Sequence, residues 1–271
     1  MLKKLSMREI VYLFIIIIIG FSSCKSTGKV VKPAETTSVH DDSENLSFMA
    51  KKFKNGIDFY ATGNEPSWSI DIDMEGEIIF STLNGENLVF QKEEVNWFRT
   101  ATPGLSASNG ITQLSFVSML AECTDSMSDE TFPYQATIEV TKNAGTKEIY
   151  IGCANYVPDY RLHGSWRIAQ LGELKANETD FYGKIPVFNF NMDELQFGGS
   201  SGCNMISGHI AMGAGKLIFE QLVSTMMACP EGKEDILKES LNNARFYTVE
   251  NDALTLIDEG GIPIIIFIKA D

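Results

Sequence analysis

Positive charge is scarce in this sequence. Only 22 Lys and Arg stand against 36 Asp and Glu, a formal net charge of −14 over 271 residues, and the basic residues form no patch. Such a surface excludes partners whose phosphates need cationic contacts, so neither nucleic acid nor an anionic lipid face is expected. Histidine is nearly absent: His40, His163 and His209 are all there is, which leaves few imidazoles for acid–base work. The five cysteines include no Cys-x-x-Cys pair, which argues against a four-cysteine zinc site. No cofactor and no metal are expected.

Long apolar runs are also missing, with one exception near the start. Lys3, Lys4 and Arg8 precede an apolar stretch from Ile10 to Phe21 that includes Ile15 to Ile19. About 12 residues at ~1.5 Å rise cover roughly 18 Å, short of the ~30 Å hydrocarbon core. The length suits the central region of a secretory signal rather than a membrane span. Phe21-Ser22-Ser23-Cys24 resembles the lipobox read by lipoprotein signal peptidase, with Phe21 in place of the usual aliphatic residue. That resemblance implies cleavage before Cys24 and acylation of its thiol and new amine, including palmitate-type chains. Two or three chains at ~0.8 kcal/mol per buried CH₂ hold a protein stably on a bilayer. By resemblance to a lipoprotein sorting rule, Lys25 after the lipidated residue implies the outer rather than the inner membrane, and the lack of an acidic cluster directly after Cys24 implies a face toward the periplasm rather than the cell surface. Residues 25 to 47 are polar, with no apolar period, and read as a disordered tether of roughly 25 Å reach. The expected division is a signal over 1–23, lipidated Cys and tether over 24–52, and two domains over 53–157 and 160–271.

Export bears on the other cysteines. Cys123 and Cys153 lie in the first half, Cys203 and Cys229 in the second. Four cysteines allow three pairings; pairing within each half gives one staple per domain, worth about 3 kcal/mol each. An oxidising compartment favours disulfides.

From Phe53 to Tyr156 the hydropathy alternates with period two. Trp68-Ser69-Ile70-Asp71-Ile72-Asp73 is the cleanest case, and Ile78–Phe80, Leu88–Phe90, Ile111–Val117, Tyr134–Val140 and Ile149–Cys153 follow. Asn84-Gly85 and Asn109-Gly110 mark turns. Short strands at this spacing predict a small antiparallel sandwich or barrel without a helix. Beyond Val157-Pro158-Asp159 a second β-rich unit begins at Trp166. It carries one helix, where Ile236, Leu237, Leu241 and Ala244 repeat at three- and four-residue steps to form an apolar stripe. The fold class is mainly β, with two β-rich domains, the second α+β.

Gly198-Gly199-Ser200-Ser201-Gly202-Cys203-Asn204 leads to Gly208, then to Ser224-Thr225-Met226-Met227-Ala228-Cys229 and the helix. This order resembles the META domain of the heat-shock protein HslJ family over about residues 162–269. The resemblance implies a compact envelope domain, linked by name to stress, with no established chemistry. Its motif positions fall on Gly202, Cys203, Asn204, Thr225 and Cys229. The first half is similar to an uncharacterised lipoprotein domain that often accompanies META domains, through Ala61-Thr62-Gly63-Asn64-Glu65-Pro66-Ser67-Trp68, Cys123 to Asp129, Phe132-Pro133-Tyr134 and Gly152-Cys153-Ala154.

Other chemistry-bearing groups have plain readings. Glu122, Asp125, Asp129 and Glu130 lack the alternation and Gly turn of a calcium loop and read as a solvated loop pinned by a disulfide. Asp71 and Asp73 read as an exposed strand face. Ser200, Ser201, His209 and Asp193 suit a hydrolase by type, yet Gly-Ser-Ser-Gly-Cys is no nucleophile elbow. Trp68, Trp97 and Trp166 read as core or strand-face aromatics. No catalytic residue is assigned. The expected function is a non-catalytic, lipid-anchored binding or scaffold protein with an envelope partner; the alternative is an inhibitor of a lysozyme-like enzyme.

Overall fold

The computed structural model describes residues 46–97, 102–142, 145–228 and 232–270. The signal, Cys24, most of the tether, Cys229 and Pro230 lie outside the described residues. Among the described residues no helix is long and apolar enough to cross a membrane.

The first nine strands are β1 (Phe59–Asn64), β2 (Ser67–Ile72), β3 (Ile78–Thr82), β4 (Asn87–Phe90), β5 (Val95–Trp97), β6 (Gly104–Ser108), β7 (Thr112–Thr124), β8 (Thr131–Lys142) and β9 (Lys147–Tyr156). They form one antiparallel sheet in the order β4-β3-β2-β1-β9-β8-β7-β6-β5. Laid flat at ~4.8 Å per strand, its two ends would stand roughly 38 Å apart. The four residues between Phe90 and Val95 span at most about 18 Å. The sheet therefore curls back on itself into an open barrel, with no pairing between its end strands β4 and β5 among the described residues, and its inward face becomes the core. Alternation selects that face: Trp68, Ile70 and Ile72 are buried while Ser67, Ser69 and Asp71 are not. Phe59, Phe80, Phe90 and Phe116 complete the interior.

The second nine are β10 (Gly164–Leu171), β11 (Leu174–Lys175), β12 (Val187–Asn191), β13 (Gln196–Ser200), β14 (Met205–Gly213), β15 (Lys216–Ser224), β16 (Phe246–Glu250), β17 (Ala253–Ile257) and β18 (Pro263–Lys269). Pairing of β10 with β18 joins the ends into a nearly closed barrel, and β11 is a short addition on β10. The weak seam is β15–β16, which share the single pair Lys216↔Phe246. Helix α2 (Glu234–Asn243) is the connection across that seam, and its Leu237 and Leu241 are buried in the barrel core. Phe188, Phe190, Phe197, Phe219 and Phe267 fill the rest, with Phe197 and Phe219 in edge contact at 4.5 Å. Ile236 departs from the expected stripe: it is exposed, one residue step off the line of Leu237 and Leu241, as the ~100° turn per residue requires.

Two differences from the sequence reading have physical causes. Helix α1 (Phe48–Lys54) occupies part of the range expected to be tether and first-domain strand. Ser47 caps it by accepting from the Ala50 N–H at 3.1 Å, and Phe53 packs on Tyr160. β5 and β6 lack a clear apolar alternation, and β14 carries Gly208 mid-strand; both hid from a period-two reading. The Val157-Pro158-Asp159 segment lies between the two sheets, and there Asp159 pairs with Arg161 at 2.6 Å and accepts from the Tyr247 hydroxyl at 3.2 Å.

Candidate functional site

In the second barrel the segments bearing the predicted motif meet at one end. The turn between β13 and β14 needs Gly202, whose φ is +105°; a Cβ there would meet the Phe181 carbonyl oxygen at 2.4 Å. Only glycine satisfies both demands. Behind it Ser201 is fully buried, and its Oγ donates to the Asn204 carbonyl at 2.8 Å while accepting from the Asn204 N–H at 3.1 Å.

Asn204 is the hub. Its side chain is buried, with Oδ1 accepting from the Thr225 hydroxyl and the Met227 N–H, both at 2.8 Å. Its Nδ2 donates to Glu234 Oε2 at 3.2 Å. Thr225 in turn accepts from the Met205 N–H at 3.0 Å. One amide therefore ties three chain segments: the β13–β14 turn, the stretch after β15, and the start of α2. Asparagine suits this because a single short side chain offers an acceptor and two donors.

Glu234 stands in the first turn of α2, where a negative charge complements the helix dipole. Its Oε1 pairs with Lys238, four residues on, at 2.7 Å. Burial pushes the Glu234 carboxyl up, but the Lys238 ammonium and the polar Ser201 and Asn204 side chains beside it outweigh that effect and hold the group below its ordinary range. Above this network lies a cleft of about 960 Å³, walled by Tyr182, Thr225, Met226 and Met227 with Asn204 and Glu234 on its floor. Met226 is 98% and Met227 60% exposed. The arrangement can hold a loop rigid and present methionines to a partner.

Gly202, Asn204 and Thr225 thus converge. Cys203 is held in a disulfide, and Cys229 lies outside the described residues. The serine, histidine and aspartate of the hydrolase reading do not converge. Ser201 is committed to Asn204, and His209 lies exposed on β14, four residues beyond Met205, or roughly 13 Å along the strand. Asp193 accepts from the Tyr160 hydroxyl at 2.5 Å. Lys238 escaped the sequence reading, although a Glu and Lys four apart at a helix start carry a readable signal.

The first barrel gathers its own motif residues. Gly63 and Gly152 sit where β1 and β9 run close: a Cβ on Gly152 would meet the Thr62 carbonyl oxygen at 2.0 Å, and one on Gly63 the Trp68 indole nitrogen at 2.3 Å. Asn64 donates to Asp125 at 2.8 Å, and Cys123–Cys153 is a disulfide. Asp125 is buried, not solvated as expected of that loop; it accepts from the Met127 and Ser128 N–H groups at 2.9 Å, and the Ser128 and Met127 bonds hold its carboxyl below the ordinary range. Asp71 is no bare exposed carboxylate either, since Lys52 of α1 pairs with it. Asp73 lies past the end of β2 and accepts from the Glu75 N–H. Trp68 and Trp166 are core residues, and Trp97 is partly exposed. Among the described residues no group of three or more His, Cys, Asp or Glu is placed to hold a metal.

Residues 160–271 match the family model described as META domain. No curated protein matches the chain. Three solved structures are similar over part of it. An NMR structure shares 20% identity, covers 41% of this chain and 92% of its own, and has a TM-score of 0.34. An NMR structure of a protein from Burkholderia xenovorans shares 23%, covering 40% of this chain and 81% of its own, with a TM-score of 0.33. A crystal structure of a DUF4847-family protein from Bacteroides vulgatus shares 19%, covering 41% and 96%, with a TM-score of 0.31.

Proposed function

We propose that this chain, with a META domain as its C-terminal part, is a lipid-anchored, non-catalytic binding or scaffold protein of the cell envelope. Its role is envelope maintenance or stress tolerance, exerted by presenting two β barrels to a partner protein. The observation that carries this reading is the use of polar groups at the META motif. Ser201 and Asn204, the groups there with reactive or orienting potential, are buried and spent on each other, on Thr225 and on Glu234. What faces outward from that end is Met226 and Met227, soft apolar groups that adapt to a partner's surface. The envelope part of the reading is supported by the basic start, short apolar run and Cys24 of the sequence. The Cys123–Cys153 disulfide suits an oxidising compartment.

In-cell crosslinking of the full chain followed by mass spectrometry tests the reading. A specific envelope protein should be recovered from unstressed, heated or antibiotic-treated cells. Recovery of none under all three conditions overturns it. A second reading, inhibition of a cationic enzyme such as lysozyme, is favoured by the net charge of −14; unchanged lytic rates on mixing remove it.

A further inference from the structure

The Asn64-Glu65-Pro66-Ser67 turn of the first barrel has no part in the second barrel's motif cleft, yet it forms one wall of a separate cleft. That cleft measures about 840 Å³, within the ~300–1,000 Å³ typical of ligand sites. At its centre Lys142, at the end of β8, meets Glu86 Oε2 at 3.0 Å and Glu148 Oε2 at 3.4 Å. The Tyr150 hydroxyl donates to the same Glu148 oxygen at 2.8 Å. Tyr150 itself is buried against Trp68 and Phe80, so the hydroxyl that holds Glu148 is anchored in the core.

Charge and apolar surface both point to the occupant. Glu65, Glu86 and Glu148 face one lysine here, which leaves the cleft at −2. The nearby Lys147 adds nothing, since Glu139 pairs with it at 2.7 Å. Glu86 holds Lys142 through Oε2, and its Oε1 meets no donor among the described residues. Around this negative floor stand Leu83, 81% exposed, and Ile149, 60% exposed, which form an apolar rim where solvent alone would favour polar side chains. A cation with apolar neighbours complements both features; an anion or a purely apolar segment complements only one.

We propose that this cleft docks one Lys or Arg side chain of a partner polypeptide, with the cation on Glu86 and Glu148 and its apolar neighbours on Leu83 and Ile149. The proposal deepens the binding reading above and rests on it only for the existence of a partner.

Calorimetric titration of the full chain with acetyl-Leu-Lys-Leu-amide tests it, with acetyl-Leu-norleucine-Leu-amide as the uncharged control. The lysine peptide should bind saturably at one site and the norleucine peptide should not. Glu86→Gln combined with Glu148→Gln should weaken binding about tenfold or more, the range for losing hydrogen bonds to a charged group. Ile149→Ser should weaken it by less, and Glu250→Gln on the second barrel should leave it unchanged. Matching urea midpoints establish that the variants fold. Equal binding of the two peptides, no binding of either, or insensitivity to the double substitution overturns the proposal. Self-association of the chain that the double substitution abolishes would assign the cleft to a second copy and overturn it as well. Because the titration needs no cellular partner, its failure leaves the crosslinking result standing on its own.

Discussion

Replacing Asn204 with alanine should unlatch one end of the second barrel and leave the first intact. The side chain makes one hydrogen bond to the charged Glu234 and two through Oδ1 to Thr225 and Met227. The first is worth about 1.5–3 kcal/mol and the others about 0.5–1.5 each. They share one side chain and are not additive, so a loss of roughly 3 kcal/mol is the working figure. With a urea slope of about 1–3 kcal/mol/M, the midpoint of the second barrel should fall by about 1–3 M. Hydrogen exchange in urea separates the barrels by following amides of β14 and β15 against those of β2 and β8. The former should lose protection by the full amount, and the latter should shift by less than about 0.5 kcal/mol. Asn204→Asp adds a sign test. It keeps the acceptor for Thr225 and Met227 but sets a carboxylate against Glu234, so it should be at least as damaging near neutral pH. A loss under ~1 kcal/mol for Asn204→Ala, no more than an ordinary single hydrogen bond, would refute the hub argument.

Other perturbations have equally definite outcomes. Gly202→Ala combines a φ of +105° with a Cβ 2.4 Å from the Phe181 carbonyl oxygen; it should cost about 2 kcal/mol or more, read as a lowered thermal midpoint. Replacing Cys123 and Cys153 by serine opens a loop with a sequence separation of 30 and should cost about 3.6 kcal/mol by loop entropy, in the first barrel only. Glu234 is held below its ordinary value of 4.5 by Lys238, Ser201 and Asn204 against the opposing effect of burial. A depressed carboxylate contributes stability that is complete above 4.5 and lost as pH falls through the folded-state value. Wild type should therefore lose more stability between pH 7 and pH 3 than Glu234→Gln does, as urea midpoints will show.

Much of the fold was legible because burial alternates cleanly where strands are long enough to show it. Trp68, Ile70 and Ile72 declare their face in the sequence itself, and Leu237 and Leu241 declare theirs. β14 was hidden because Ser207, Gly208 and His209 break its apolar rhythm beside a register shift. The closure of the second barrel was not legible either, since pairing of Trp166 with Lys269 joins residues about a hundred positions apart. At the motif, Gly202 and Asn204 could be named from residue order, but their work could not. It depends on Phe181 and Glu234, which approach only when the barrel is built. Glu86 and Glu148 carried no signal at all, being separated by the whole run of β4 to β8.

The functional reading depends above all on the chain residing at a membrane, outside the cytoplasm. The most direct measurement is the intact mass of the chain purified from membranes. The expected species begins at Cys24, carries the mass of two or three acyl chains, and gains nothing from a thiol-alkylating reagent unless first reduced. A chain that still begins at Met1, bears no acyl mass and alkylates at Cys123 and Cys153 without reduction would contradict it.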